Sequence, residues 1–137
     1  MKVLRVDKPW GHELLLMRTE FYSGKILCIR AGARLSLHHH TAKDETLYLL
    51  VGDALLELEE REEQPRPVRP MATDESYRVR PGQRHRLTAL TEARVLEVST
   101  PEHDDVVRWE DDYGRAGTCA GGTDTPLSAL PDRTRSA

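Results

Sequence analysis

The sequence predicts an all-β, single-domain double-sheet jelly roll, and three observations carry that reading. Runs rich in Val, Ile, Leu, Thr and Tyr recur at short intervals, turn signals separate them, and no stretch has the period of an amphipathic helix. At 137 residues the chain amounts to one domain, long enough to bury a core without disulfides or oligomerisation. Closing short strands into two packed sheets leaves the fewest unpaired edges at this length. The sequence has no internal repeat.

Each element has its own signal. Lys2 to Val6 is a short strand, and Pro9-Trp10-Gly11 breaks the chain before a strand over His12 to Met17. Glu20 to Arg30 contains a turn or bulge at Ser23-Gly24 followed by Ile26-Leu27-Cys28-Ile29, and Ala31-Gly32-Ala33 turns the chain again. Leu35 to His40 alternates, placing Leu35, Leu37 and His39 on one face and Ser36, His38 and His40 on the other. Thr46 to Val51 is β-branched, aromatic and apolar, and Gly52-Asp53 fits a tight hairpin into Ala54 to Leu58. Three prolines within a charged stretch make residues 59–70 a loop, because proline cannot donate to a ladder. Strands resume over Ser76 to Arg80, His85 to Leu90 and Arg94 to Thr100, with a short terminal piece over Asp104 to Trp109. The barrel thus spans 1–116, and residues 117–137, rich in Gly, Thr, Ser and Pro, form a tail.

Composition narrows the functional classes. Charged residues make up 31% and apolar residues 38%, as in a soluble globular protein. A net charge of −3 leaves no basic footprint for nucleic acid. No apolar run approaches the ~20 residues of a membrane span, and Met1 to Val6 lacks the apolar block of a signal peptide. Two cysteines imply no disulfide framework: Cys28 reads as a small core residue and Cys119 as an exposed thiol. A reducing cytoplasm is the expected compartment.

One cluster carries chemistry. His38 and His40 lie two apart on a strand, so both imidazoles face the same way. The polar turn Thr41-Ala42-Lys43-Asp44 follows, and a hairpin there would bring Glu45 alongside them. His85 opens a later strand after Pro81-Gly82. Three imidazoles and one carboxylate suit one divalent transition metal, with Zn the first expectation and Fe, Mn, Co or Ni possible. Four protein ligands leave one or two positions open. His39 faces the other way and is not expected to be a ligand, and His12 and His103 have no sequence partner and belong at the surface.

These residues resemble the cupin pattern. Gly32, His38, His40, Glu45 and Gly52 match every interval of the first cupin motif, and Gly82 and His85 match the second. Arg80 stands where that motif has Pro, with Pro81 displaced by one, and Ala89 replaces its Asn. From about Val6 to Arg115 the chain also resembles the C-terminal, sugar-isomerising domain of bifunctional bacterial mannose-6-phosphate isomerase / mannose-1-phosphate guanylyltransferase proteins. The stretches that carry this are Lys8-Pro9-Trp10-Gly11, Leu35-Ser36-Leu37, His85-Arg86-Leu87, Asp104-Asp105-Val106-Val107-Arg108 and Asp111-Asp112-Tyr113-Gly114-Arg115. The nucleotidyltransferase half is absent. That family usually has Gln at the position of His38 and Arg at that of Lys43, and the Trp expected near Leu47 is missing. The resemblance implies a cupin barrel, a homodimer formed by strand exchange at the N-terminus, and action on a small molecule.

Three activities are compatible with such a site. Aldose–ketose isomerisation needs a Lewis acid to polarise a carbonyl and a base to move a proton between adjacent carbons. Lys43 is a candidate base if burial lowers its pKa, with Tyr48 or Tyr77 as proton relays, and Arg30, Arg78, Arg86 and Lys43 are available to hold a phosphate. With iron, a three-His-one-Glu site could instead be a dioxygenase. The third class is a non-catalytic or accessory metal-binding cupin, or a Lewis-acid rearrangement enzyme in small-metabolite biosynthesis.

Overall fold

The computed structural model describes residues 1–61 and 66–118 and contains twelve strands and no helix among them. The strands are β1 (Leu4–Lys8), β2 (Gly11–Arg18), β3 (Ser23–Ile29), β4 (Leu37–His40), β5 (Glu45–Val51), β6 (Ala54–Leu58), β7 (Val68–Pro70), β8 (Ser76–Val79), β9 (His85–Ala89), β10 (Ala93–Ser99), β11 (Val106–Glu110) and β12 (Gly117–Thr118). They form two six-stranded antiparallel sheets, ordered β1-β2-β3-β10-β5-β8 and β12-β11-β4-β9-β6-β7. This is the expected double-sheet jelly roll.

Inward positions of the first sheet change character along the strands. At one end Ile29 pairs with Ala93, and next to them Leu27, Val95 and Leu49 form a row. One row further on, Lys25, Glu97 and Leu47 align, and then Ser23, Ser99 and Glu45. Trp10, Ile29, Leu49, Leu56, Leu87 and Val95 close the apolar end into a buried core. The other end of the barrel is polar inside, which is where a site can form.

Several connections differ from the sequence reading. Gly52-Asp53 is not a hairpin: β5 and β6 belong to different sheets, and the turn carries the chain across the barrel. Gly52 has φ +86°, and a Cβ there would lie 2.2 Å from the Glu92 carbonyl oxygen. Residues 41–44 likewise connect β4 of the second sheet to β5 of the first, so Glu45 faces the histidines across the barrel rather than lying beside them on a hairpin. A turn signal reports that the chain bends but not which sheet the next strand joins.

Within the stretch read as a loop, Val68–Pro70 pairs with β6, with Leu56 opposite Arg69. β7 is an edge strand, where a missing donor is tolerated. Residues 62–65 of that stretch lie outside the described residues. Ser23-Gly24 is strand rather than turn, and the irregularity lies opposite it on β2 between Leu15 and Met17. β1 runs on to Lys8, joined to Gly11 by the two-residue turn Pro9-Trp10. The tail's first two residues pair with β11, while the rest of it, Cys119 included, lies outside the described residues. Cys28 is buried as expected but faces outward, level with His12 and Arg94 on the neighbouring strands.

Gly52 and Gly82 separate crowding from backbone strain. Gly82 has φ +85° but open space where a Cβ would go, so Gly82→Ala is expected to cost about 1 kcal/mol. Gly52→Ala adds a backbone clash and is expected to cost about 3 kcal/mol or more. Urea unfolding midpoints of the two variants measure this difference, and equal midpoints would refute the crowding argument.

Candidate metal centre

β4 places His38 and His40 on the inner face, and β9 places His85 directly opposite His38 in the register. One nitrogen from each ring lies within 4.8 Å of the others. Ring centroids are 4.2 Å apart for His38 and His85, and 5.0 Å apart for His38 and His40. His40 and His85 are buried, and His38 is partly so.

Every second nitrogen has an acceptor. His38 Nδ1 lies 3.0 Å from the Ser36 carbonyl oxygen, His40 Nδ1 lies 3.0 Å from Asp105 Oδ1, and His85 Nδ1 lies 3.1 Å from the Gln83 carbonyl oxygen. An Nδ1–H donated to each acceptor fixes the tautomer and leaves Nε2 with its lone pair toward the centre, the usual arrangement of metal-binding histidines. Burial, reinforced by the neighbouring His85 and His40, pushes the His38 pKa well below its ordinary value. The ring is therefore the neutral imidazole that a metal ion requires.

Glu45 arrives from the opposite sheet, almost fully buried. Its Oε1 is 2.9 Å from His85 Nε2, and its Oε2 is 3.2 Å from Lys43 Nζ and 3.9 Å from His40 Nε2. Burial alone would raise its pKa, but the Lys43 ammonium foremost among its neighbours outweighs it, and the carboxyl lies well below the usual range. Oε2 is buried and makes no hydrogen bond. A buried, ionised carboxylate oxygen that makes no hydrogen bond and lies 3.9 Å from the His40 Nε2 fits a divalent cation. The three histidines could hold a metal ion, and the donor chemistry suits a borderline one.

The other expected site residues separate into two groups. Lys43 lies within the barrel, buried, with Nζ 2.7 Å from Glu97 Oε2. Burial lowers its pKa, but Glu97 and Glu45 more than compensate, so the net shift is upward. Lys43 is thus an ammonium and does not meet the condition set for a base. The remaining residues do not line the cavity. Tyr48 is exposed on the outer face of the first sheet, in register with Leu96 and Ser76. Tyr77 points inward but packs on the core, and its hydroxyl accepts the Ala72 amide hydrogen at 2.7 Å. Arg30 is exposed and donates to the Pro9 carbonyl. Arg78 pairs with Asp44 at 2.7 Å on the outside. Arg86 is buried but donates to the carbonyls of Leu35 and Glu110, tying β9 to neighbouring segments. Flanking a ligand on a strand puts a residue on the opposite face, which is why Arg86 beside His85 points away.

Other residues take those places. A cavity of about 80 Å³ beside the histidines is lined by Lys8, Glu13, Lys25, Glu97, His103 and Arg108, among others. His103, expected at the surface, has its pKa lowered to about 4 by burial and by the cations Lys25 and Arg18. His39 is outside as expected, with Trp109 Nε1 donating to its Nδ1 at 2.9 Å. Glu97 sits at an inward position of β10, but this strand has apolar residues on both faces, Val95 inward and Leu96 and Val98 outward, so alternation does not reveal it. Asp105 holds His40 Nδ1 and accepts the amide hydrogens of Ala42 and Lys43, and these bonds pull its pKa far below the usual range against the cost of burial.

Solved structures share this fold. KdgF from Halomonas sp. is 20% identical, with TM-score 0.64 over 74% of this chain and 90% of that one. A cupin described as RmlC-like, from Shewanella frigidimarina, is 15% identical, with TM-score 0.65 over 76% of this chain and 88% of that one. The capsular polysaccharide assembling protein CapF from Staphylococcus aureus matches at 14% identity and TM-score 0.67, where 80% of this chain covers 33% of that one. No curated protein matches the sequence. No helix among the described residues is long and apolar enough to cross a membrane. The sequence profile of the mannose-6-phosphate isomerase C-terminal family matches residues 2–111. The chain has the cupin fold and belongs to the mannose-6-phosphate isomerase C-terminal family.

Proposed function

We propose that this protein is a metal-dependent cupin enzyme that moves a proton on a small, polar, anionic metabolite, with isomerase-type chemistry on a sugar phosphate as the leading form. The observation that carries this reading is the convergence of three Nδ1-anchored imidazoles on one another, beside a buried Glu45 whose Oε2 makes no hydrogen bond. His38, His40 and His85 would hold the ion, with Glu45 as a further ligand. A divalent metal there acts as a Lewis acid on a substrate carbonyl or hydroxyl.

The chain's own residues supply the rest. Lys43, held as an ammonium between Glu45 and Glu97, stabilises negative charge developing on a substrate oxygen and can deliver a proton to it. Glu97 faces the same cavity, 2.7 Å from Lys43, and is the candidate to accept the proton from carbon. The pair replaces the expected roles of Lys43 as base and Tyr48 as relay. The same three-His-one-Glu donor set also suits an iron-dependent dioxygenase, which the tests below separate.

Apolar residues Leu14, Ile26, Leu96 and Tyr48 lie side by side on the outer face of the first sheet, and a homodimer would cover them. A sedimentation run is expected to show dimers at micromolar concentration, and Leu96→Lys is expected to give monomers. Monomeric wild-type protein would sink the dimer.

Elemental mass spectrometry on protein purified without chelator is expected to find about one metal equivalent per chain. His38→Ala and His85→Ala should lose most of it, and His39→Ala should keep it. Asp105→Asn is expected to weaken metal affinity about 10–100-fold. Equal loss in all variants would refute the site.

In metal-loaded protein, Lys43→Met and Glu97→Gln are each expected to lower turnover per bound metal about 10²–10⁴-fold. Mannose 6-phosphate is the first substrate to assay. Substrate-dependent oxygen uptake with bound iron would replace the isomerase reading with the dioxygenase.

A further inference from the structure

The cavity beside the histidines has an excess of positive charge in its wall, with five cationic side chains against two carboxylates. Most of the cations have carboxylates close by. Lys25 lies 3.0 Å and Lys8 3.8 Å from Glu13, and Lys43 lies 2.7 Å from Glu97. Arg115 is held by Asp111 at 2.9 Å.

Arg108 adjoins the histidines in the strand register. It is an inward residue of β11 and the direct register partner of His38 on β4. Partners across an antiparallel pair have Cβ atoms about 5 Å apart, so the guanidinium begins one strand away from the metal-binding rings. It is 4% exposed and lines the same cavity as His38 and His40. A guanidinium buried in the wall of a cavity is matched by a carboxylate or a phosphate, two of whose oxygens its fork of donors can grip.

The cavity sets a size. Its volume of about 80 Å³ holds about five water-sized groups at roughly 15 Å³ each. That is room for a two- or three-carbon acid, or for the reacting end of a longer molecule that projects toward solvent.

We propose that Arg108 is the oxyanion-recognising residue of this site, gripping a carboxylate or phosphate of a substrate whose reacting end lies against His38 and His40. The placement of that reacting end rests on the function proposed above, whereas the capture of an anion by Arg108 does not.

The test is calorimetric titration of glycolate and, separately, of inorganic phosphate into chelator-treated protein. Wild type is expected to bind at least one of them saturably, and the one bound identifies carboxylate or phosphate as the recognised group. Arg108→Gln is expected to weaken that binding about tenfold or more, while its metal content after reloading, read by elemental mass spectrometry, stays at the wild-type level. Should Arg108→Gln fail to fold by circular dichroism, Arg108→Lys decides, with an expected loss of about fivefold because the charge remains and the fork is gone. No binding of either anion to wild type, or wild-type affinity in the deciding variant, overturns the assignment. Anion binding that depends on Arg108 in a protein that takes up no metal supports Arg108 and overturns the metal-centre reading instead.

Discussion

Lys43 and the two carboxylates beside it are the constraint on which the rest of the site depends. Glu45 and Glu97 are both inward residues of the first sheet, on adjacent strands, and Lys43 at the end of the preceding loop lies 3.2 Å from one and 2.7 Å from the other. Burying three charges is expensive unless they satisfy one another. Here a single ammonium serves two carboxylates, so the cluster carries net negative charge until a cation joins it. The three imidazoles opposite supply lone pairs rather than charge. A divalent ion held by the three histidines would offset that charge.

That separation comes from connections the sequence does not specify. His38 and His40 were legible because period-two spacing puts them on one face whichever sheet the strand joins. Glu45 was legible as a neighbour of the histidines from motif spacing, although its route to them is across the barrel and not around a hairpin. Glycine at residue 52 announces a bend, but its φ of +86° and its closeness to the Glu92 carbonyl serve a crossing between sheets. Only long-range pairing, with β5 beside β10 and β4 beside β11, distinguishes the two outcomes.

The surrounding polar residues were less legible, for a reason that can be stated residue by residue. Arg86 and Lys43 were chosen for nearness in sequence to ligands. On a strand that logic fails at odd spacing, so Arg86 faces away, and in a loop it can succeed, so Lys43 reaches the site. Arg108 and Glu97 are remote in sequence from every ligand and enter through strand register. His103 is isolated in sequence and sits in a loop that folds back over the cavity.

Asp105 gives the arrangement its stiffness. One carboxyl group receives a hydrogen bond from a metal-binding imidazole and, through its other oxygen, from two successive amides of the loop that leads to Glu45. The orientation of His40 and the path of the chain into β5 therefore cannot drift independently. An insertion among residues 41–44 would do more than lengthen a surface loop, because it would pull on the anchor that aims a ligand. The segment between the two sheets is thus tied to the histidine cluster through one carboxyl group, and its length bears on how His40 is aimed.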